Sequence, residues 1–124
     1  SAASDVYKRQ VLYDGAYDIP CQFRYFECLP GGYSTLEYHE HTHMVMIFRG
    51  KGQLLLGDEI HDVESGDFIE IPGKTIHQFR ANKGDYIGFL CLVNQERDKV
   101  KLLSPEEMER LQANPKIKEF LESC

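Results

Sequence analysis

Three of the five histidines in this 124-residue chain, His39, His41 and His43, occupy alternate positions in the run Glu37-Tyr38-His39-Glu40-His41-Thr42-His43. Alternate residues of an extended strand share a face, so these three and Glu37 would present imidazoles and a carboxylate to one side. Those groups are ligands for transition metals. A solvated polar face is the competing reading, but the opposite phase, Tyr38, Glu40 and Thr42, is no more apolar. Same-face neighbours two apart are about 6.6 Å from each other. With a His–metal bond of about 2.0 Å, such a pair can converge on one ion. Residues four apart are separated by about 13 Å on a straight strand. His43 can therefore join Glu37 and His39 only if the chain turns around Glu40-His41-Thr42, a segment of poor strand formers.

The surrounding sequence supplies strands to hold such a cluster. Short apolar or alternating segments broken by Gly, Pro and Asp run from Phe23 to Leu29, Ser34 to His39, Met44 to Phe48, Gln53 to Leu56, Ile60 to Val63, Phe68 to Ile71, Ile76 to Arg80 and Tyr86 to Val93. Gly50-Lys51-Gly52 reads as a turn, and Gly57-Asp58 as the turn of a hairpin. Turn signals at this spacing predict a closed all-β sandwich or barrel. The chain then changes character. Ser104-Pro105-Glu106-Glu107 combines an N-cap, a Pro at the first helical position and a capping-box Glu. Met108 and Leu111, then Ile117, Phe120 and Leu121 after Pro115, predict short helices packed on the barrel.

Composition narrows the partners. With 42% apolar and 27% charged residues, one globular domain is expected. A formal charge of −6 argues against nucleic acid and anionic membranes as partners. Cys21, Cys28, Cys91 and Cys124 are too widely spaced for a structural zinc site, and Cys91, within Phe89-Leu90-Cys91-Leu92-Val93, reads as a buried core thiol. Residues 1–10 resemble the in-frame translation of a sequencing-library adapter and are expected to be a tail without fold content, which leaves the localisation open.

Two glycine-framed motifs in this chain resemble those of the cupins. The first cupin motif reads Gly-x5-His-x-His-x3–4-Glu-x6-Gly, and the second Gly-x5-Pro-x-Gly-x2-His-x3-Asn. Counting forward from Gly31 places Glu37 and His39 at the first two ligand positions, and counting back from Gly50 places His43 at the motif's Glu position. Gly66, Pro72 and His77 match the second motif, with Gly73 displaced by one position and Ala81 where Asn is usual. The resemblance spans roughly Phe23 to Val93. It implies an all-β cupin double-stranded β-helix, or jelly-roll barrel, over residues 11–103, followed by a helical segment over 104–124. It also implies one transition-metal ion per chain held by Glu37, His39, His43 and His77, with His41 in the turn. A second register would use His39, His41 and His77 and release His43, and the two stay open.

Imidazole-rich sites suit Cu, Fe, Ni, Mn or Zn, and a third imidazole leans toward copper. The resemblance implies an oxidoreductase using O2 or peroxide, with oxidative cleavage of a carbohydrate such as cellulose as the finer expectation. The alternatives are a sugar isomerase or lyase, in which the metal polarises a carbonyl, and a non-catalytic small-ligand binder. Tyr38, His41 and Gln78 are the candidate catalytic residues: Tyr38 as proton donor or redox-active phenol, His41 as proton carrier, and Gln78 with Arg80 orienting oxygen or an anionic substrate. Met44, Met46 and Phe48 fall opposite the ligands and need a cover, from a homodimer partner or the C-terminal helix.

Overall fold

The computed structural model describes residues 7–122. Among them, nine strands form one curled antiparallel sheet: β1 (Tyr7–Asp14), β2 (Cys21–Cys28), β3 (Glu37–Tyr38), β4 (His43–Leu56), β5 (Glu59–Glu64), β6 (Phe68–Ile71), β7 (His77–Ala81), β8 (Ile87–Asn94) and β9 (Lys101–Leu102). Helices α1 (Pro105–Gln112) and α2 (Pro115–Glu122) follow. The sheet runs β1-β2-β8-β4-β7-β3-β9, with β5 and β6 also paired to β4.

β4 ties the two halves of the barrel together. Its beginning pairs with β6 and β8, and its end pairs with β5 and β7. Gly50-Lys51-Gly52, expected as a turn, instead lie inside this strand. The ladder shifts register between Ile47 and Arg49, and Gly50 follows at φ +77. A Cβ at Gly50 would fall on the Tyr86 carbonyl oxygen, and one at Gly52 on that of Arg80. The glycines therefore bend the ribbon from one half into the other without reversing it.

Two further expectations change. Ser34 to His39 contributes only the two-residue β3, because side chains interrupt the pairing at Ser34: its amide donates to the Phe79 carbonyl at 2.9 Å, but its carbonyl accepts from Gln78 Nε2 and its Oγ from the Phe79 amide, each at 2.9 Å. Tyr7–Gln10, expected within a tail, pair with β2 from Tyr7↔Cys28 to Gln10↔Tyr25, and Tyr7 stacks on Phe26 at 5.6 Å. The open edge of β2 and an inward aromatic ring account for that ordering. Residues 1–6 lie outside the described residues.

The main core fills the barrel with Phe26, Val45, Ile47, Phe79, Phe89 and their neighbours. A second cluster forms on the outside of the barrel, where Leu111, Ile117 and Phe120 of the helices cover Leu55. The helices do not reach Met44, Met46 and Phe48, which stay 36%, 43% and 55% exposed, beside Leu92 and Phe68.

At the start of α1 the Ser104 hydroxyl accepts from the Glu107 amide while the Glu107 carboxylate accepts from the Ser104 amide. Ser104→Ala is expected to lower stability by about 1 kcal/mol in urea unfolding. An unchanged midpoint would mean that the apolar contacts hold the helix alone.

Candidate metal centre

Between β3 and β4 the chain bends at Glu40 and His41. The bend is docked on the turn before β7. Lys74 donates its amide to the His39 carbonyl at 2.6 Å, and Gly73 lies so close under the Glu40 carbonyl oxygen that no Cβ fits there. This bend folds the alternating histidines toward one another. Ring centroids lie 4.2 Å apart for His39 and His41, 3.8 Å for His39 and His43, and 4.8 Å for His41 and His43. The ligand atoms of the three lie within 4.8 Å of one another, a cluster that could hold a metal ion. His77 joins from β7, with its ring 4.8 Å from that of His39. Its neighbour in the ladder is Glu37, whose side chain lines the same cavity.

Each imidazole is anchored through Nδ1. His39 donates to its neighbour's carbonyl, His41 O, at 2.9 Å, and His77 donates to Thr75 O at 2.9 Å. His41 donates to Asp98 Oδ1 at 2.6 Å, and His43 Nδ1 meets Cys91 Sγ at 3.2 Å. A carbonyl or carboxylate can only accept, so the proton of His39, His41 and His77 sits on Nδ1 and Nε2 keeps a bare lone pair. His39 Nε2 is buried with no hydrogen-bond partner among the described residues. His41 Nε2 and His43 Nε2 face each other at 2.8 Å. Two lone pairs at that distance repel unless a proton or a cation lies between them, and the spacing suits adjacent ligands on bonds of about 2.0–2.1 Å. The donor set therefore fits a transition-metal ion.

Burial shapes the electrostatics. Desolvation holds His39, His43 and His77 below the ordinary imidazole range, His77 at about 4. They are neutral at physiological pH, as ligands must be. Burial pushes the Glu37 carboxyl up to about 7 against the pull of Arg24. Asp98, which accepts from the Glu40 amide and from His41, is held down at about 2.

The structure thus brings together His39, His41 and His43, with His77 and Glu37 beside them, so that His41 and His43 both reach the cluster. It does not bring Tyr38 or Gln78 into the cavity. The Tyr38 hydroxyl donates outward to Glu107 at 3.4 Å, and Gln78 is engaged with Ser34 and Arg80. Strand alternation is the reason: when Glu37 and His77 face inward, Tyr38 and Gln78 face the other side. His61 is exposed beside Glu59.

A cavity of about 470 Å³ opens over the cluster, floored by Phe26, Phe79 and Phe89. Arg24 and Arg97 also line it, and neither stands out in the sequence reading. Arg24 did leave a signal: it shares the inward phase of Phe26 and Cys28, where a cation is out of place. Asp98 and Arg97 sit in a polar stretch with no periodicity and leave none.

The chain matches the model of the cupin domain over residues 24–93. It is 44% identical over 114 residues to 1-methylthio-D-xylulose 5-phosphate methylsulfurylase of Rhodospirillum rubrum, covering 92% of this chain and 72% of that protein. Among solved structures, a cupin-2 domain protein from Rhodospirillum rubrum superposes with a TM-score of 0.90 at 43% identity, covering 94% of this chain and 78% of the other. A cupin 2 conserved barrel domain protein from Rhodopseudomonas palustris gives a TM-score of 0.88 at 48% identity, with 92% and 78% covered.

Depressed histidines make the metal-free protein acid-sensitive. The unfolded chain binds more protons, so stability is present above about 6.5 and is lost as pH falls through His77's value of about 4. Glu37 opposes this, since its raised value gives stability below about 4.5 that is lost as pH rises through about 7. Urea midpoints of metal-free protein between pH 7 and 4 are expected to fall, more steeply in Glu37→Gln and less steeply in His77→Asn. Identical slopes in all three proteins would contradict these assignments.

Proposed function

The chain belongs to the cupin family, and within it we propose that this protein is a metal-dependent enzyme acting on a small phosphorylated keto-sugar. The observation that carries the proposal is the cluster of His39, His41 and His43, whose ligand atoms lie within 4.8 Å of one another, with these imidazoles anchored at Nδ1 and the ring of His77 beside them. Support for the substrate comes from the relative from Rhodospirillum rubrum, whose name specifies a thio-substituted xylulose 5-phosphate. Its name also supports an enzymatic role for this chain.

In this reading His39, His41, His43 and His77 hold the ion. A bound divalent ion supplies a Lewis acid for a carbonyl oxygen. Glu37, reassigned here from ligand to proton carrier, takes or returns a proton at the carbon beside that carbonyl; a carboxyl held near 7 is suited to both directions. Asp98 fixes the tautomer and the plane of His41. The phenylalanine floor keeps water from the reacting carbon. A second copy of the chain seated on Met44, Met46 and Leu92 would cover the exposed sheet face, giving a homodimer.

Copper-dependent oxidation is the second reading, favoured by the number of imidazoles. The two separate by elemental analysis, EPR and turnover of 1-methylthio-D-xylulose 5-phosphate with and without O2. The expected result is turnover without O2. His39→Ala and His43→Ala should weaken metal binding at least about tenfold, because each removes a ligand. Glu37→Gln should keep the metal and lose about 100-fold or more in kcat. Copper with several nitrogen ligands and an absolute need for O2 would replace this proposal with the second reading. Full metal occupancy in both histidine variants would sink both.

A further inference from the structure

Arg24 is a cation placed inside a barrel. Its residue is only 7% exposed, and its Nε is buried with no hydrogen-bond acceptor among the described residues. One NH2 group donates to Cys91 Sγ at 3.2 Å, and the guanidinium rests 5.0 Å from the centre of the Phe26 ring. Cys91 Sγ in turn lies 3.2 Å from His43 Nδ1, so this cation is one thiol away from the histidine cluster. Among the described residues no carboxylate is within ion-pair reach of it. A buried charge left unpaired is costly, and a protein keeps one where a ligand completes the pair.

A second guanidinium lines the same cavity. Arg97 donates to Asn94 O at 2.7 Å, Gln95 O at 3.1 Å and Gln22 Oε1 at 2.8 Å. All three acceptors are neutral, so Arg97 is pinned in place without being neutralised. Gln22 and Arg24 share the inward face of β2. Arg9 and Lys99 line the cavity too, in a chain whose overall charge is −6. Of the lining carboxylates, Asp98 is taken by His41 and the Glu40 amide, Asp14 accepts from Gln22, and Glu37 feels Arg24 only from beyond ion-pair distance.

We propose that Arg24 and Arg97 form the phosphate subsite of this cavity, binding the phosphoryl group of a phosphomonoester whose reactive end lies at the histidine cluster. The subsite rests on the reading of the cavity as a phosphorylated-sugar site and supplies residues for it. Guanidinium forks match phosphate oxygens two at a time, and two cations suit a dianion where a single carboxylate would need one. Arg97 feels Arg24 directly, since burial and then the neighbouring Arg24 charge both lower its basicity. An anion between them relieves that repulsion. Arg24 is thus a specificity-determining residue: it makes the empty cavity costly and the phosphate-filled one favourable.

The test is calorimetric titration of inorganic phosphate into the metal-loaded and the metal-stripped protein, at ionic strength matched with chloride, beside Arg24→Gln, Arg24→Lys and Arg97→Gln. Both forms of the wild type are expected to bind phosphate. Either Gln substitution should weaken binding about tenfold or more, the range for losing hydrogen bonds to a charged group. Arg24→Lys should fall between, keeping charge without the fork. Without phosphate, Arg24→Gln should melt above the wild type, because it removes an unpaired buried cation. Unchanged affinity in both Gln variants would overturn the subsite. So would binding confined to the metal-loaded form and indifferent to Arg24, or acetate binding as tightly as phosphate. Phosphate bound by a wild type that takes up no metal would keep the subsite and reject the metal-dependent reading. Metal without phosphate would do the reverse.

Discussion

An imidazole has one nitrogen to give a metal, and what holds the other nitrogen decides where the first one points. Here two backbone carbonyls, a carboxylate and a thiol hold the Nδ1 atoms of four histidines. Those anchors come from four separate places: the bend at His41, the turn at Thr75, the stretch holding Asp98, and Cys91 on β8. The centre is therefore as rigid as the barrel that brings these places together. The Lys74–His39 backbone bond and the glycine beneath Glu40 are where that rigidity enters the ligand segment.

The same barrel sets the dielectric of the site. Burial in the barrel, where Phe26, Phe79 and Phe89 share the cavity lining, desolvates the site, and this one fact has three consequences. It keeps His39, His43 and His77 neutral and ready as ligands. It brings the Glu37 carboxyl close to the pH at which a proton can move either way. It also leaves Arg24 with the distant pull of Glu37 and no ion pair among the described residues, so that a set of imidazole ligands and an unpaired cation face one cavity. A substrate with an anionic end and a carbonyl end answers both.

β4 makes this possible mechanically. Because it continues through Gly50 and Gly52, one strand carries His43 in the first half of the barrel and pairs with β7, the strand of His77, in the second. Ligands far apart in sequence are thereby set by a single continuous ladder. The helices add stability on the far side of Leu55 and leave the face of Met44 and Met46 uncovered.

Much of this was legible in the residues themselves. Local features read directly: β6, the hairpin at Gly57-Asp58 and the capping box at Ser104 depend on neighbours in sequence, and periodicity reports those. The histidine run and the two glycine-framed motifs likewise marked the barrel and the residues at its centre. Tertiary structure decided what depends on distant partners. Whether Gly50 reverses or bends the chain turned on the carbonyl of Tyr86 pressed against it. Whether His41 or His43 reaches the cluster turned on the Pro72–Thr75 turn that docks the bend, and both arrive. Tyr38 and Gln78 turned away because the phase of β3 and β7 is set by which neighbours point into the barrel. Arg24 and Asp98 acquire meaning only from groups that lie 67 and 57 residues away along the chain. A linear pattern records which side of a strand a residue takes; it carries no record of what another strand will place opposite.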